Sequence, residues 1–531
     1  MEKRTIFAVI LIIAVFWISN EFLWKPNVPA QTSVNQPTEE TTQTPPPVEV
    51  PTADFVQPPA EAVPSDIEIN DAIVLENDLM RIELSNRGAT VNSIQLKDYT
   101  MADKETMVNL IPQGKSLYGL SLTNTNGAVK NLGNEAFTYT IDEVENRVHF
   151  TYNTPQGSVE KTFTLVGGYE IGFTVQKQGF QDFDSYTIAL DSGIADTETY
   201  LKMKNRVYKV VAQVENSITK LSLAKLKTRQ DIGGSIDWVS VSSKYFTMGI
   251  IPAPQINMNR LIAFKQEESP AAQVSVALSR ATVTDEYQLY CGPLIYDNLK
   301  QFGHGYENAV ELGPKYLLWI SRTFLWVLTE LHKIIPTWGW TLILFSLFIK
   351  ALLFPVTHKS FESTSKMQKI QPYVREIQAK YKNDPQTMNV EMQKVYKEHG
   401  VSPFGGCLWM FIQMPILFAL YPLLRYNIHL RQSEFMWLPD LSEPDPYLIL
   451  PILMAIFMFV QQKLAAPSNE KLEEMDEKQK AAMQSQKMMM YFMPVMMFFI
   501  FRSLSSGLVL YWTVFNIFSI AQQQIINKKL K

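Results

Sequence analysis

The sequence predicts a multi-domain membrane protein with three parts: an N-terminal signal anchor, an all-β sandwich domain that faces water, and a five-span α-helical core. The chain has 531 residues, of which 46% are hydrophobic and only 19% are charged. The first half is polar and shows the two-residue alternation of strands, whereas the second half contains several long apolar runs. A single soluble domain would lack the apolar runs and a pure helical bundle would lack the alternation, so the two halves are predicted to fold in different environments.

The composition and the motifs also exclude several classes of function. The net charge of −4 is small for this length, which argues against nucleic-acid binding through bulk charge. The sequence lacks the GxxxxGK[ST], HExxH and GxSxG motifs, so we predict no ATP hydrolysis, no common hydrolase chemistry, and no catalytic, metal or cofactor site. The two cysteines, Cys291 and Cys407, fall in halves that are predicted to occupy different compartments, so no disulfide is expected.

Residues 1–25 are predicted to form a signal-anchor transmembrane helix. Lys3 and Arg4 precede an apolar run, and the absence of an Ala-x-Ala site favours an uncleaved anchor over a cleaved signal peptide. The basic end is expected to stay in the cytoplasm, which places the following residues outside. Residues 26–66 hold ten of the 30 prolines, and such a segment cannot bury enough apolar surface to fold, so it is predicted to be a disordered linker.

Short strands and turns fill residues 67–312, which we predict to fold as a large β-sandwich. Apolar and polar residues alternate around Ile82, and the glycine pair at 167–168 separates two alternating runs as the turn of a hairpin, where positive φ is needed. The two histidines, His149 and His304, are far apart and show no metal-ligand spacing, so they are interpreted as structural. The sequence does not indicate the task of this domain.

Five apolar stretches in the second half are about long enough to cross a bilayer. They comprise residues 338–356, 407–424, 447–462, 488–501 and 507–526. A further stretch, residues 317–335, carries Arg322 and Glu330 and is predicted to lie flat on the outer surface as an amphipathic helix. With that assignment, 18 Lys and Arg residues of the N-terminus, of two loops (357–402 and 463–487) and of the short basic tail (527–531) are cytoplasmic. The core with the anchor thus gives six predicted spans, with both termini in the cytoplasm.

The loop after the first core span is predicted to form a cytoplasmic helical hairpin, residues 359–400. Its first helix carries an apolar stripe at helical spacing, formed by Met367, Ile370, Val374, Ile377 and Tyr381. Asp384 is placed to cap the second helix, Pro385 occupies its first position, and Gly400 ends it. A solvated helix pair without a partner is the alternative interpretation.

Lys350 lies inside the first core span, about 18 Å along the helix from Trp338. An ammonium near the bilayer centre costs roughly 2.5–3.5 kcal/mol on insertion scales. No acidic residue of another span is available to pair with it, so we predict a hydrated cavity that reaches Lys350 from the cytoplasm. The alternative is that the side chain extends to the inner interface, because Pro355 follows only five residues later.

Other polar side chains in the spans support a wet interior. Ser346 lies one helical turn from Lys350, and Gln413 interrupts the next span. The last span carries a polar and aromatic stripe at four-three-four spacing, formed by Trp512, Asn516, Ser519 and Gln523. Each of these residues is also compatible with hydrogen bonding between helices. Ten of the 23 methionines fall between Met454 and Met497, where they would fit either variable apolar partners or lipid.

Three sequence motifs closely resemble the YidC family of membrane protein insertases. They are Pro403-Phe404-Gly405-Gly406-Cys407, Gln413-Met414-Pro415-Ile416 and Ser506-Gly507-Leu508-Val509-Leu510-Tyr511-Trp512. The resemblance covers the whole chain in the layout of Gram-negative members: an anchor, a periplasmic β-sandwich and a five-span insertase core, 338–526. It implies a groove that is open to lipid and cytoplasm and sealed outside, in which one cation receives acidic residues of an incoming chain.

Lys350 occupies the position of that cation, and Ser346, Gln413, Tyr511 and Trp512 resemble its groove partners. Two departures stand out. Many members carry arginine at the cation position, whose bidentate fork a lysine lacks. The loop 463–487 is also longer and more charged than the family pattern.

The resemblance implies a non-enzymatic insertase and chaperone of the cell inner membrane, which inserts nascent inner-membrane proteins and helps them fold. It implies contacts with the lipid bilayer, the Sec translocon and the ribosome, although the short tail 527–531 argues against strong ribosome tethering. Two other functions stay open at this point. One is a secondary transporter with Lys350 as the coupling site, although no inverted repeat is visible. The other is an envelope-anchored carbohydrate-binding protein.

Overall fold

The computed structural model describes residues 67–278, 282–382, 384–400, 408–465 and 477–530. Residues from Asn70 onward form one compact unit. The predicted signal anchor (1–25), the predicted linker (26–66) and the motif at 403–407 lie outside the described residues.

Eighteen strands lie among the described residues of the first half. They are β1 (Ile73–Glu76), β2 (Met80–Ser85), β3 (Thr90–Thr100), β4 (Met107–Asn109), β5 (Gly119–Thr123), β6 (Val129–Asn131), β7 (Thr138–Asp142), β8 (Arg147–Thr154), β9 (Gly157–Gly167), β10 (Glu170–Gly179), β11 (Ser185–Leu190), β12 (Lys209–Val214), β13 (Ser217–Ser222), β14 (Gln230–Ser242), β15 (Phe246–Pro252), β16 (Met258–Gln266), β17 (Ser269–Ala277) and β18 (Thr282–Pro293). The turn between β9 and β10 contains Gly168 at φ +57°, so the predicted glycine turn is confirmed.

The strands form two antiparallel sheets. The smaller sheet has the order β1-β2-β3-β4. The larger sheet has fourteen strands, in the order β6-β5-β11-β17-β16-β14-β15-β18-β10-β9-β8-β7, and β12 joins it at β14 and carries β13. Strands such as β9 and β10 alternate buried and partly exposed residues, so one of their faces contributes to a common apolar core.

Contacts across the core show that the large sheet folds over itself as a sandwich. The Tyr118 hydroxyl, next to β5, lies 3.4 Å from the Cys291 Sγ of β18, and its ring centroid lies 6.0 Å from that of Phe173 in β10. Tyr186 of β11 donates a hydrogen bond of 2.5 Å to Asp285 of β18. Strands that are distant in the sheet order therefore face each other, and the predicted β-sandwich is confirmed.

A buried lysine joins the small sheet to the large one. Lys161 of β9 donates hydrogen bonds to the carbonyl oxygens of Gly88 and Ala89 in the β2–β3 turn, and to that of Tyr118. Both turn residues have positive φ, +67° and +47°. Burial lowers the pKa of Lys161 to about 7, because an apolar environment disfavours the charged amine. The lysine thus donates hydrogen bonds to carbonyl oxygens of a turn whose backbone is left-handed.

Nine helices lie among the described residues. They are α1 (Lys204–Val207), α2 (Tyr296–Lys300), α3 (Leu318–Ile334), α4 (Trp338–Lys380), α5 (Pro385–Glu398), α6 (Leu408–Arg425), α7 (Ile449–Ala465), α8 (Glu477–Phe501) and α9 (Ser506–Leu530). The segment Trp338–Met367 of α4 is long and apolar enough to cross a membrane, and α7 and α8 contain shorter apolar segments, Ile449–Leu464 and Met490–Phe501. The number of spans and the position of the termini stay predictions.

The first core span and the first helix of the predicted hairpin form a single helix, α4, of 43 residues. The helix continues through Pro355 and Pro372, which both lie inside it. A proline removes one backbone hydrogen bond, but side chains of α4 on both sides of Pro355 are bound to α9, and these contacts hold the two halves in line.

The C-terminal end of α4 packs against α5. Ile370 and Val374 are buried and contact Met392, Val395 and Tyr396. The Asp384 carboxylate accepts hydrogen bonds from the backbone amides of residues 386 and 387, so the predicted N-cap is confirmed. Gly400 has φ +59°, as the predicted helix end requires.

Candidate functional site

Lys350 is buried at the contact between α4 and α9. Its side chain is 4% exposed, and Nζ donates a hydrogen bond of 2.7 Å to the Ser519 hydroxyl. Nζ also lies 4.7 Å from the centroid of the Phe515 ring and 5.6 Å from that of Phe361, which are cation–π distances. Within the described residues no carboxylate lies within ion-pair distance of Lys350. The charge is therefore held by one hydroxyl and two aromatic faces, and it can accept a carboxylate.

Two further hydrogen bonds continue this contact toward the C-terminal end of α4. The Gln522 amide donates to the Thr357 hydroxyl at 3.0 Å, and the Ser365 hydroxyl donates to the Asn527 side-chain oxygen at 2.7 Å. Together with the Lys350–Ser519 bond they follow the same order along both helices, so α4 and α9 run parallel here. We call these three pairs the polar seam.

Three other residues predicted for the site have partners within or beside their own helices. Ser346 is fully buried and donates to the Leu342 carbonyl at 2.7 Å, one turn before Lys350. Gln523 donates to the Asn527 side-chain oxygen at 3.2 Å. Trp512 packs on aromatic rings of α8 and α9, with centroid distances of 5.9 Å to Phe501 and 6.4 Å to Phe515.

Three predicted site residues carry buried polar atoms that have no hydrogen-bond partner among the described residues. They are Gln413, at both side-chain amide atoms, Tyr511, at the hydroxyl, and Asn516, at the amide nitrogen. Tyr511 and Lys350 share one neighbour, because the Tyr511 ring contacts the same Phe515 that faces Lys350. The Tyr511 ring also contacts Phe345 of α4. A buried polar group that lacks a partner costs about 1–3 kcal/mol. These groups therefore favour water or a polar polypeptide segment as a ligand.

Sequence reasoning missed Thr357, Ser365, Gln522 and Asn527 as site residues. Thr357 follows Lys350 by seven residues, or two helical turns, and so lies on the same face of α4. That spacing was a usable signal. The parallel pairing of α4 with α9 joins residues about 165 positions apart, and a single sequence does not encode which helices meet.

The hydrated cavity around Lys350 stays a prediction. The structure gives Lys350 a protein hydroxyl and two rings as neighbours. The alternative, in which its side chain extends to the inner interface, would leave the ammonium exposed, whereas it is buried beside Ser519.

We expect the Thr357→Val substitution to destabilise the α4–α9 contact by about 1 kcal/mol, because it leaves the buried Gln522 amide without its hydroxyl partner. Thermal unfolding of the full chain in lipid nanodiscs measures the change. Thr513→Val is the matched control, since the Thr513 hydroxyl is also buried but donates only to the Val509 carbonyl of its own helix. An equal loss in both variants would contradict a role of the polar seam between the helices.

A large antiparallel sandwich, an apolar helix long enough to span a bilayer, and a buried lysine with no carboxylate beside it among the described residues are typical of a membrane protein with a helical core and a water-facing β domain. Residues 72–327 match the family model described as the YidC periplasmic domain, and residues 330–531 match the one described as the 60Kd inner membrane protein. The chain belongs to the family of YidC membrane protein insertases.

Comparison with individual proteins agrees with the family models, and the resemblance in the sequence motifs is confirmed. The membrane protein insertase YidC of Chloroherpeton thalassium is 32% identical, over 86% of this chain and 82% of the relative. That of Pelodictyon phaeoclathratiforme is 30% identical, over 99% and 95%. A crystal structure of an active YidC insertase with its first transmembrane domain resolved is 17% identical, over 86% and 93%, with a TM-score of 0.35. The family is one of inner-membrane proteins with a periplasmic domain, and its members are not enzymes.

Proposed function

We propose that this chain inserts nascent membrane proteins into the inner membrane by receiving a polar segment at Lys350. The observation that carries the proposal is a buried cation at the α4–α9 contact with no carboxylate beside it among the described residues. Buried polar atoms of Gln413, Tyr511 and Asn516, which have no partner among those residues, add to it. The names of the relatives, which are membrane protein insertases, support the same conclusion.

In this mechanism the acidic groups of an incoming segment move into a hydrated groove that is open to the cytoplasm and the lipid and closed on the outer side. The carboxylate pairs with Lys350 in place of the Ser519 hydroxyl, and the polar atoms of Gln413, Asn516 and Tyr511 bind the backbone of the segment. These contacts replace part of the water that the segment loses, so its path across hydrocarbon becomes shorter.

The apolar segment that follows then leaves between the helices into lipid. Burial of its side chains in hydrocarbon supplies the driving force, and no nucleotide is consumed. The membrane potential adds about 2.3 kcal/mol per translocated charge per 100 mV. A chaperone role, contacts with the Sec translocon and ribosome, and the six-span topology with both termini in the cytoplasm belong to the same proposal.

Site-specific photo-crosslinking tests the proposal. We expect a crosslinker at Ser346 or Trp512 to capture a ribosome-stalled nascent membrane protein whose polar segment has just emerged. Leu352 is the matched control position, because it lies on the same helix as Lys350 but is 60% exposed on another face. Equal capture from Leu352, or none from Ser346 and Trp512, would overturn the assignment of the groove. Uptake of a small solute by vesicles that contain only the purified chain would favour the transporter.

A further inference from the structure

Residues 426–448, which join α6 to α7, cover the outer ends of two core helices; we call this loop the outer cap. Its Phe435 ring contacts Trp340 at the start of α4, with a centroid distance of 5.5 Å. The backbone amide of Gly507, at the start of α9, donates to the Leu441 carbonyl at 2.8 Å, and Ser506 donates to the Glu443 carbonyl through both its amide and its hydroxyl. The outer cap therefore closes over the first turns of the helices that carry the polar seam.

The sandwich holds the outer cap through a buried ion pair. The side chains of Arg431 and Glu198 are 2% and 8% exposed, and Nε of the arginine lies 2.6 Å from Oε1 of the glutamate. The same guanidinium donates to the Thr100 carbonyl at 2.6 Å and to the Thr197 carbonyl at 3.0 Å. One cap residue is thus bound to two separate parts of the sandwich, the end of β3 and the loop after β11.

The next residue of the cap is held in a strained conformation. Gln432 has φ +56°, a left-handed value that is uncommon for a residue other than glycine. Its side-chain amide donates to the Met101 carbonyl at 2.7 Å and accepts a hydrogen bond of 2.8 Å from the Thr100 hydroxyl. Such strain persists only where surrounding contacts fix it, and here the contacts come from the sandwich.

Additional contacts extend along the cap. Lys244 donates to the Ser442 carbonyl at 3.1 Å, and the Tyr200 backbone amide donates to the Glu443 carboxylate at 3.1 Å. Lys104 and Glu434 form an ion pair at 2.6 Å, but their side chains are 42% and 71% exposed. The buried Arg431–Glu198 pair therefore differs from an exposed pair in the same interface, which provides an internal comparison.

We propose that the periplasmic sandwich acts as a clamp that keeps the outer cap closed, with Arg431 and Glu198 as the positioning pair. Removal of one partner leaves an uncompensated charge in a dry interface, so the cap opens. The proposal goes beyond the proposed function, because it concerns the outer end of the core whether or not a polypeptide is inserted. It also gives the sandwich a structural role, which is to hold the outer cap, and this role requires no bound ligand.

Amide hydrogen exchange of the full chain in lipid nanodiscs tests the proposal. We expect Arg431→Met to accelerate exchange in residues 426–448 by about tenfold or more, and Lys104→Met to change it by less than about twofold. Where R431M does not accumulate, Glu198→Gln is measured instead, because it removes only the negative charge. Unchanged exchange in R431M or E198Q, or an equal acceleration in K104M, would overturn the proposal.

Two further measurements distinguish a specific effect of the Arg431–Glu198 pair from a general loss of stability. The double variant R431M/E198M leaves no unpaired charge, so its cap is expected to exchange more slowly than that of R431M. Equally fast exchange would overturn the role of the pair.

Ser505, at the outer end of α9, is 8% exposed. With Cys291 and Cys407 replaced by alanine, S505C is expected to react with a membrane-impermeant maleimide at least about tenfold faster in the R431M background. Neither readout requires insertion, so failure of the clamp and failure of the insertase proposal are distinguishable.

Discussion

Replacement of Lys350 by alanine is expected to reduce the insertion of membrane proteins with acidic translocated segments by at least about tenfold, and to affect neutral segments far less. Two unit charges 4 Å apart attract each other by about 4 kcal/mol at an effective dielectric constant of 20, and a tenfold change corresponds to only about 1.4 kcal/mol. The buried position of Lys350, with no carboxylate beside it among the described residues, keeps this attraction available to an incoming chain.

Insertion into vesicles that contain the purified variant measures the effect, with two substrates that differ only in the charge of the translocated segment. Lys350→Arg is expected to retain most of the activity because the charge is kept. Lys359→Ala is the matched control, since Lys359 lies on the same helix but is exposed. Equal insertion of both substrates by K350A and the unaltered chain would refute the attraction step.

Residues 301–317 join the sandwich to the helical core, and we call them the connector. Replacement of Glu311 by glutamine is expected to destabilise the connector by about 1–3 kcal/mol. One carboxylate oxygen of Glu311 lies 2.9 Å from the Lys209 Nζ and 3.0 Å from the Lys220 Nζ. The Lys209 side chain is only 7% exposed. Glutamine would leave two neighbouring amines without an anion, which is costlier than the loss of a single surface pair. Hydrogen exchange of residues 301–317 in the full chain measures the change.

The same residue predicts how the connector responds to acid. Burial alone would raise the pKa of Glu311, but attraction and hydrogen bonds from Lys209 and Lys220 outweigh it and hold the pKa well below its usual range. A lowered carboxyl pKa stabilises the folded state fully above the unfolded value of about 4.5, and this contribution is lost as the pH falls below it. The connector should therefore loosen as the pH falls from 5 to 3, and E311Q should lack that response.

Glu268→Gln is the matched control for Glu311, because Glu268 pairs with Lys265 at 2.7 Å but is 74% exposed. It is expected to leave the exchange of the connector unchanged. If E268Q and E311Q accelerated exchange of the connector equally, the buried ion pairs of Glu311 with Lys209 and Lys220 would not be what stabilises it.

Local patterns in the sequence predicted those features of the fold that depend on neighbours along the chain. The alternation in β9 and β10 shows which face is buried, and the glycine at 168 allows the turn between them. Asp384 and Gly400 mark the ends of α5 because capping chemistry is local. The order of strands in the large sheet is not local, so alternation alone did not predict it.

The sequence predicted those site residues whose charge or polarity is unusual within an apolar segment. Lys350 is conspicuous because a cation in an apolar run has a large cost, and the four-three-four stripe identified Ser519 as a residue of a polar face. The ion pair of Arg431 with Glu198 joins residues 233 positions apart, and both side chains look like ordinary surface charges in the sequence. Only the packing of the cap against the sandwich turns them into a buried pair.

The continuity of α4 has a mechanical consequence. A helix of 43 residues is a rod about 65 Å long, and it joins the outer cap at Trp340 to the α5 contact at Ile370. Lys350 lies between these two ends without a loop to isolate it from either. A partner that tilts the C-terminal end of α4 would therefore act directly on the α4–α9 contact that holds Lys350.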